Sequence, residues 1–459
     1  MNRVRTLEFA QYGATNLHPL VIVFMICMTA LALAPKRSAV TFAVLAVCVF
    51  MPMEQRVVIG GLDFSMLRLI MIVAWIRVLV KGEYRGFRMG KLDWLFLFWV
   101  FSASLFYVLR VGPSGIVYRL GVSFDSLTAF FLIRMLVRTR GEVLVLWRHL
   151  AWVVVVLSPL FLYEAIALHN AFGIFDYAGF DPVEFRDGRP RSQGPFSHPI
   201  LAGTFGSVAM PVFVAIFWGR RNQRILFGSA CVGATIITIA SGSSGPIIAW
   251  AVGAFGWAIW RFRKHVRPML WGLVGLAVII HFAREKPIWH FLLRLSSITG
   301  GTGQHRYYLV DAFIRRFHEW ALVGTSNTAH WGFGLQDTTN RYVAEGVSGG
   351  LMTLVLFIIV LRTSFVQLRR ARLVFERQEG PKSLSALLAW GSSVSLAVHC
   401  VSFISVSYFG QMVQFFVFFV ATVPAIARFS RRQRVKSRRA PLAAKTPTPI
   451  PAAHFHSVS

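Results

Sequence analysis

Arginine is the residue on which this sequence could build chemistry. Arg186, Arg189 and Arg191 fall in one polar stretch, roughly 168–196, and Arg284, Arg294, Arg306, Arg315, Arg316 and Arg341 in a second, roughly 284–346. A guanidinium holds its charge and offers a planar fork of donors that matches phosphate oxygens. Two such stretches brought together would seat the diphosphate of an anionic, lipid-linked substrate. The competing use of the same residues is pairing with Asp181, Glu184, Asp311, Glu319, Asp337 and Glu345. For most of the arginines, pairing is the simpler expectation.

The elements that must position them are membrane helices. Of the 459 residues, 55% are hydrophobic and 15% charged, and the mean hydropathy is +0.58. Soluble domains carry about 25% charged residues. Apolar runs of roughly 18 residues or more match the thickness of a bilayer core. They are continuous rather than alternating, which argues against a membrane β-barrel. The candidate spans are 17–34, 39–53, 62–80, 92–111, 120–137, 143–167, 197–218, 225–240, 243–260, 268–283, 347–368, 384–404 and 407–428. They predict an all-α polytopic membrane protein of about 12–13 transmembrane helices. A single transmembrane domain is expected over 1–428, with its two large loops on the non-cytoplasmic face, and a basic, Pro/Ala-rich, disordered cytoplasmic tail over 429–459. The 17–34 segment leads into Pro35-Lys36-Arg37 rather than a small-residue cleavage site, and reads as a retained span.

A net charge of +29 and a pI near 11.3 would suggest nucleic acid in a soluble protein. Here the basic residues collect in short connections. Lys81, Arg85, Arg88 and Lys91 form one group, and Arg138, Arg140 and Arg148 the next. Arg220, Arg221 and Arg224, then Arg261, Arg263, Lys264 and Arg267, then Arg369, Arg370, Arg372, Arg377 and Lys382 follow, with the tail last. From residue 62 onward all of these groups fall on one side, which the positive-inside rule assigns to the cytoplasm. Membrane lipids, not nucleic acid, are the expected partners, with the basic tail lying on anionic lipid. Thirteen spans would place Arg3 and Arg5 outside. Cys27, Cys48, Cys231 and Cys400 sit in apolar segments without metal spacing and read as small core residues. Among charged residues within spans, Arg68 and Asp125 are expected to pair, while Arg77, Arg134 and Glu164, near span ends, are expected to snorkel. From Tyr307 to Trp320, Tyr308, Leu309, Ala312, Phe313, Phe317 and Trp320 recur on one face, which predicts an amphipathic helix along the membrane surface or capping the bundle.

Three motifs carry a family likeness. The run Arg191-Ser192-Gln193-Gly194-Pro195-Phe196-Ser197-His198-Pro199-Ile200, with Gly203, enters a span. Ala240-Ser241-Gly242-Ser243-Ser244-Gly245 is a Ser-rich stretch with glycine. Asp337-Thr338-Thr339-Asn340-Arg341-Tyr342-Val343-Ala344-Glu345-Gly346, then Gly349-Gly350-Leu351, closes the second loop. Together with Gly61-Leu62-Asp63-Phe64-Ser65-Met66-Leu67-Arg68 and the layout of the chain from about 20 to 428, this resembles the O-antigen ligase and polymerase superfamily of membrane glycosyltransferases.

The resemblance implies about twelve helices and an active site on the periplasmic face of a bacterial inner membrane. The donor is a glycan on undecaprenyl diphosphate; an acceptor hydroxyl attacks the anomeric carbon and the lipid diphosphate leaves. No metal or other cofactor is implied. By position, Arg191 and Arg306 match the family's loop arginines, holding the diphosphate and stabilising charge on the leaving group. Arg189, His198, Asn340, Arg341 and Glu345 are the further substrate-binding candidates. Ligases of the family commonly have His-Asn where this chain has Thr339-Asn340, and threonine is no base at neutral pH, so the base must lie elsewhere. Asp337 is the first candidate and His330 the second, with Glu345 and His198 also in the loops. A polymerase of lipid-linked repeat units for exopolysaccharide or O-antigen is the leading expectation, in company with other polysaccharide-assembly proteins. Ligation of a finished glycan comes second. A polysaccharide flippase is a further alternative, though carriers usually place polar residues at mid-membrane.

Overall fold

The computed structural model describes residues 15–175, 183–186, 188–284, 287–291, 293 and 303–428. Arg3, Arg5, Asp181, Arg294 and the 429–459 tail, on which expectations were placed, lie outside the described residues. The chain begins with α1 Pro19–Leu33 and α2 Arg37–Phe50, then a hairpin of β1 Arg56–Ile59 and β2 Leu62–Ser65. Next come α3 Met66–Val80, α4 Lys91–Val111, α5 Ile116–Leu136 and α6 Arg140–Ala167. A second hairpin, β3 Glu184–Arg186 with β4 Arg189–Arg191, leads to α7 Pro199–Gly219, α8 Arg224–Ala240, α9 Ser244–Ala258 and α10 Val266–Ala283. After α11 Gly303–Arg315, three helices close the fold: α12 Arg341–Glu379, α13 Leu384–Ser405 and α14 Gln411–Ile426.

A helix therefore occupies each of the thirteen expected spans. Among the described residues, eight helices (α4 to α8, α10, α12 and α13) are long and apolar enough to cross a membrane, by length and composition. Three apolar helices, α1, α2 and α14, are shorter, and α3 and α9 are 15 residues each.

The all-α expectation needs two corrections. Residues 62–65, expected to start a span, are instead strand β2, paired antiparallel with β1 across Gly60-Gly61, both at positive φ. A Gly-Gly turn between two strands with apolar residues, Val57-Val58-Ile59 before it and Leu62 and Phe64 after it, favours a hairpin. The helix starts only at Met66, where the Ser65 hydroxyl accepts the Arg68 N–H and caps it. The second hairpin, β3 with β4, lies within the first polar loop. A further difference is in α12, which is broken at Gly349 and Gly350, both with non-helical backbone angles.

Contacts sort the connections onto two ends of the bundle. At one end Arg77 pairs with Glu83 at 2.5 Å and donates to the Pro35 carbonyl, Arg138 donates to the Arg85 carbonyl, and Arg140 reaches Glu379 and Ser385. Arg263 pairs with Glu376 there, and Arg428 donates to the Arg138 carbonyl. This is the end that collects the basic groups. At the other end Asn16 bridges to Arg56, Gln55 donates to the Phe175 carbonyl, and Gln411 donates to the Met51 and Pro195 carbonyls. Arg110 reaches the Val347 carbonyl and Arg341 that of Tyr408 at the same end. The described parts of both polar loops belong to it.

Arg77 and Arg134 do not snorkel. Arg77 is buried against Glu83, and Arg134 makes a bidentate pair with fully buried Asp93 at 2.6 and 3.0 Å. Glu164 is also buried and accepts backbone N–H groups. The partners of Arg134 and Glu164 lie on other elements that local sequence does not reveal. Arg68 and Asp125 pair as expected, at 2.6 and 2.8 Å. Cys27 is exposed rather than in the core; Cys48 is buried.

Candidate functional site

The site is built on a turn held by side chains from α6, from the stretch just after it and from α14. Beyond β4, the Glu164 carboxylate at the end of α6 accepts the N–H groups of Gln193 and Gly194, each at 2.9 Å. Asn170 and Gln411 donate to the carbonyls of Gly194 and Pro195. Gly194 adopts φ +55 with the Phe161 ring so close that a Cβ would lie 2.6 Å from it, so only glycine fits this position. The turn thus fixes two candidate side chains at once, Arg191 before it and His198 after it.

Arg191 is buried. Its Nη1 donates to Glu184 across the hairpin at 2.5 Å, its Nη2 to Ser243 Oγ at 2.9 Å, and its Nε is buried with no hydrogen-bond partner among the described residues. The Ser-rich turn between α8 and α9 makes room for it. Gly242 has φ +56, and a Cβ there would lie 2.9 Å from both Arg191 Cγ and the Pro190 carbonyl. Arg306, in the first turns of α11, comes to the same turn from the second loop. Its Nη2 lies 3.9 Å from where a Cβ on Gly245 would be, and donates to the Ser405 carbonyl at 3.3 Å. Its Nε too is buried and unpartnered among the described residues.

Electrostatics join the two. Burial lowers the Arg306 pKa, and the positive charge of Arg186 lowers it further. Burial also lowers that of Arg191; Glu184 opposes this and Arg186 adds to it. Arg186 therefore acts on guanidinium groups from both loops.

His198 caps α7. Its Nδ1 accepts the Ile200 N–H at 3.1 Å, so the neutral ring carries its proton on Nε2 and can donate from there. Burial, with the charge of Arg191, pushes its pKa down, against the pull of Glu184 and Asp337. Asp337 thereby belongs to the same neighbourhood. It is exposed, its carbonyl accepts from His305 Nε2 at 3.0 Å, and His305 directly precedes Arg306.

Neither comparison with known proteins finds a relative. No family model and no curated protein matches the chain. The site must therefore be read from its own residues.

The other candidates are placed elsewhere. His330 donates to Glu319 at 2.7 Å, and Glu319 also holds Trp331 and Arg316. This network stiffens the second loop's own core, where Leu309, Trp320, Trp331 and Leu335 pack on Val343 of α12. The loop helix thus caps the bundle; it ends at Arg315, and Tyr308 and Phe317 are exposed rather than on its buried face. Asn340 is the N-cap of α12, accepting the Tyr342 and Val343 N–H groups. Arg341 and Glu345 pair with each other at 2.6 Å, with Trp99 donating to Glu345 at 2.8 Å. Arg189 is exposed, paired through the backbone with Arg186. Of the arginines expected to be paired, Arg315 meets Asp311 and Arg316 meets Glu319.

Sequence reasoning singled out neither Ser243 nor His305 as a site residue. Ser243 lay within a quoted motif, but nothing local marked it as a partner of Arg191.

Proposed function

We propose that this protein is a membrane glycosyltransferase that polymerises undecaprenyl-diphosphate-linked glycan repeat units at the periplasmic face of a bacterial inner membrane, for exopolysaccharide or O-antigen. The observation that carries the reading is the convergence of Arg191 and Arg306, from separate loops, on the turn at 242–245, each with a buried Nε unpartnered among the described residues. A diphosphate would accept from both. His198 adds a neutral Nε2–H donor beside them, so all three would stabilise charge on the leaving group as the bond breaks.

In the proposed reaction the acceptor hydroxyl oxygen bonds to the anomeric carbon of the donor. The bond from that carbon to the diphosphate oxygen breaks, and the electron pair leaves with the lipid diphosphate. The hydroxyl proton passes to the Asp337 carboxylate. Asp337 is preferred to His330 because His330 is already spent on Glu319, whereas Asp337 is exposed and within electrostatic reach of His198.

The test is incubation of the purified protein with lipid-diphosphate-linked repeat units. A ladder of longer glycans supports polymerisation. Transfer only to a distinct acceptor would move the assignment to ligation by the same chemistry, and no transfer with either would end it.

A further inference from the structure

A second cationic cluster lies at the same end of the bundle, where α4 turns into α5. Arg110 and Arg119 both reach Tyr107: their guanidinium carbons lie 5.4 and 5.7 Å from the centre of that one ring. Arg110 has a partial structural task. Its Nη1 donates to the Val347 carbonyl at 2.7 Å, just before the break in α12, while its Nε is buried and unpartnered among the described residues. Arg119 Nε is likewise buried without a partner there. The carboxylate within electrostatic reach of Arg119 is Glu345. Both of its oxygens are occupied, one by Arg341 Nη2 at 2.6 Å and the other by the Trp99 indole at 2.8 Å. Among the described residues, Arg110, Arg119 and Arg341 against Glu345 leave an excess of two positive charges.

Leaving buried guanidinium nitrogens without an acceptor is costly. Around the pair, Leu105, Leu109, Val117 and Leu120 are exposed, as suits side chains that face acyl chains. A phosphate oxygen between the two arginines would supply the missing acceptor. A headgroup at that level would leave its acyl chains along the exposed apolar side chains.

We propose that Arg110 and Arg119, set against Tyr107, form a binding site for the phosphodiester headgroup of an anionic phospholipid, distinct from the diphosphate site and independent of the glycan reading. Net negative lipid is favoured over zwitterionic lipid because Glu345, already occupied, leaves the excess charge of the cluster in place. Juxtamembrane arginines each add a modest increment to anionic-lipid affinity.

Native mass spectrometry of the full chain in detergent tests this. Phosphatidylglycerol and phosphatidylcholine are titrated separately, and soluble glycerophosphate is added as competitor. The first phosphatidylglycerol should bind roughly ten- to thirty-fold more tightly than phosphatidylcholine. Arg119→Gln and Arg110→Gln should each reduce that preference severalfold, and Arg119→Lys should retain most of it. Arg220→Gln, at the basic end, should leave it unchanged. No preference in the wild type would overturn the proposal even if a variant fails to fold. So would an unchanged preference in both glutamine variants, or full displacement of the lipid by glycerophosphate, which would point to a site for free phosphate.

Discussion

Two groups of arginines, at opposite ends of this bundle, use the same side chain in opposite ways. At the basic end, several guanidinium groups meet carboxylates: Arg77 and Arg37 share Glu83, Arg134 takes Asp93, and Arg263 and Arg372 share Glu376. At the other end, Arg191 has one ion pair and a serine, Arg306 has a single backbone carbonyl, and each has a buried nitrogen without a partner among the described residues. Breaking a buried matched pair strands a charge and destabilises the fold, whereas buried charge left partly unmatched marks a candidate ligand site. Positive charge counted along the sequence does not separate these roles. Among the described residues, buried guanidinium nitrogens without a partner do: they belong to Arg110, Arg119, Arg191 and Arg306.

That contrast can be broken from either side. The largest effect should come from Arg191→Ala and Arg306→Ala, each lowering glycan transfer by about 10²–10³-fold, as loss of an oxyanion donor does, while membrane insertion is unchanged. Full activity in both would remove the clamp. Asp337→Asn should lower kcat by about 10²-fold or more with donor affinity retained, the signature of a missing base; an unaltered rate would move the base elsewhere. At the basic end Asp93→Asn should do the reverse. It leaves Arg134 buried without its carboxylate, so unfolding should become easier by about 3–5 kcal/mol while diphosphate binding by the folded fraction stays the same. Calorimetry beside a binding assay would separate these effects.

The smallest effect concerns the second loop's own core. The Trp331 indole N–H, with His330 and Arg316, holds the Glu319 pKa down to about 2, against the opposing effect of burial. A carboxylate with a depressed folded pKa adds stability that is complete above its ordinary value near 4.5 and is lost as pH falls towards 2. Tryptophan fluorescence should therefore show the loop unchanged from pH 7 to 5 and loosening below about 4.5. His330→Ala should shift that transition only slightly upward and leave turnover nearly intact. A large loss of turnover would restore His330 as a base.

Much of the architecture was legible because helix and membrane leave plain marks. Long apolar runs located a helix in every expected span, and the basic connections were expected to gather at one end, where the Arg77–Glu83 and Arg140–Glu379 pairs now lie. The Gly60-Gly61 hairpin was hidden because its apolar strand ran straight into an apolar helix. The partner of Arg134 was hidden because pairing across elements leaves no periodicity in either. Within the site, Arg191, Arg306, His198 and Asp337 were nameable in advance, and the structure brings them into one neighbourhood. Asn340, Arg341 and Glu345 share their motif, yet act on one another and on the start of α12. Spacing along a chain cannot tell a side chain that caps a helix from one that faces a substrate.

The most direct test is the affinity of the purified protein for glycan-free undecaprenyl diphosphate, compared between an Arg191→Gln/Arg306→Gln double variant and an Arg37→Gln/Arg140→Gln control at the basic end. Removing two charge-assisted hydrogen-bond donors should weaken binding by about 10²-fold or more in the first protein, with little change in the second. Equal affinities in the two would contradict a diphosphate held between the loops.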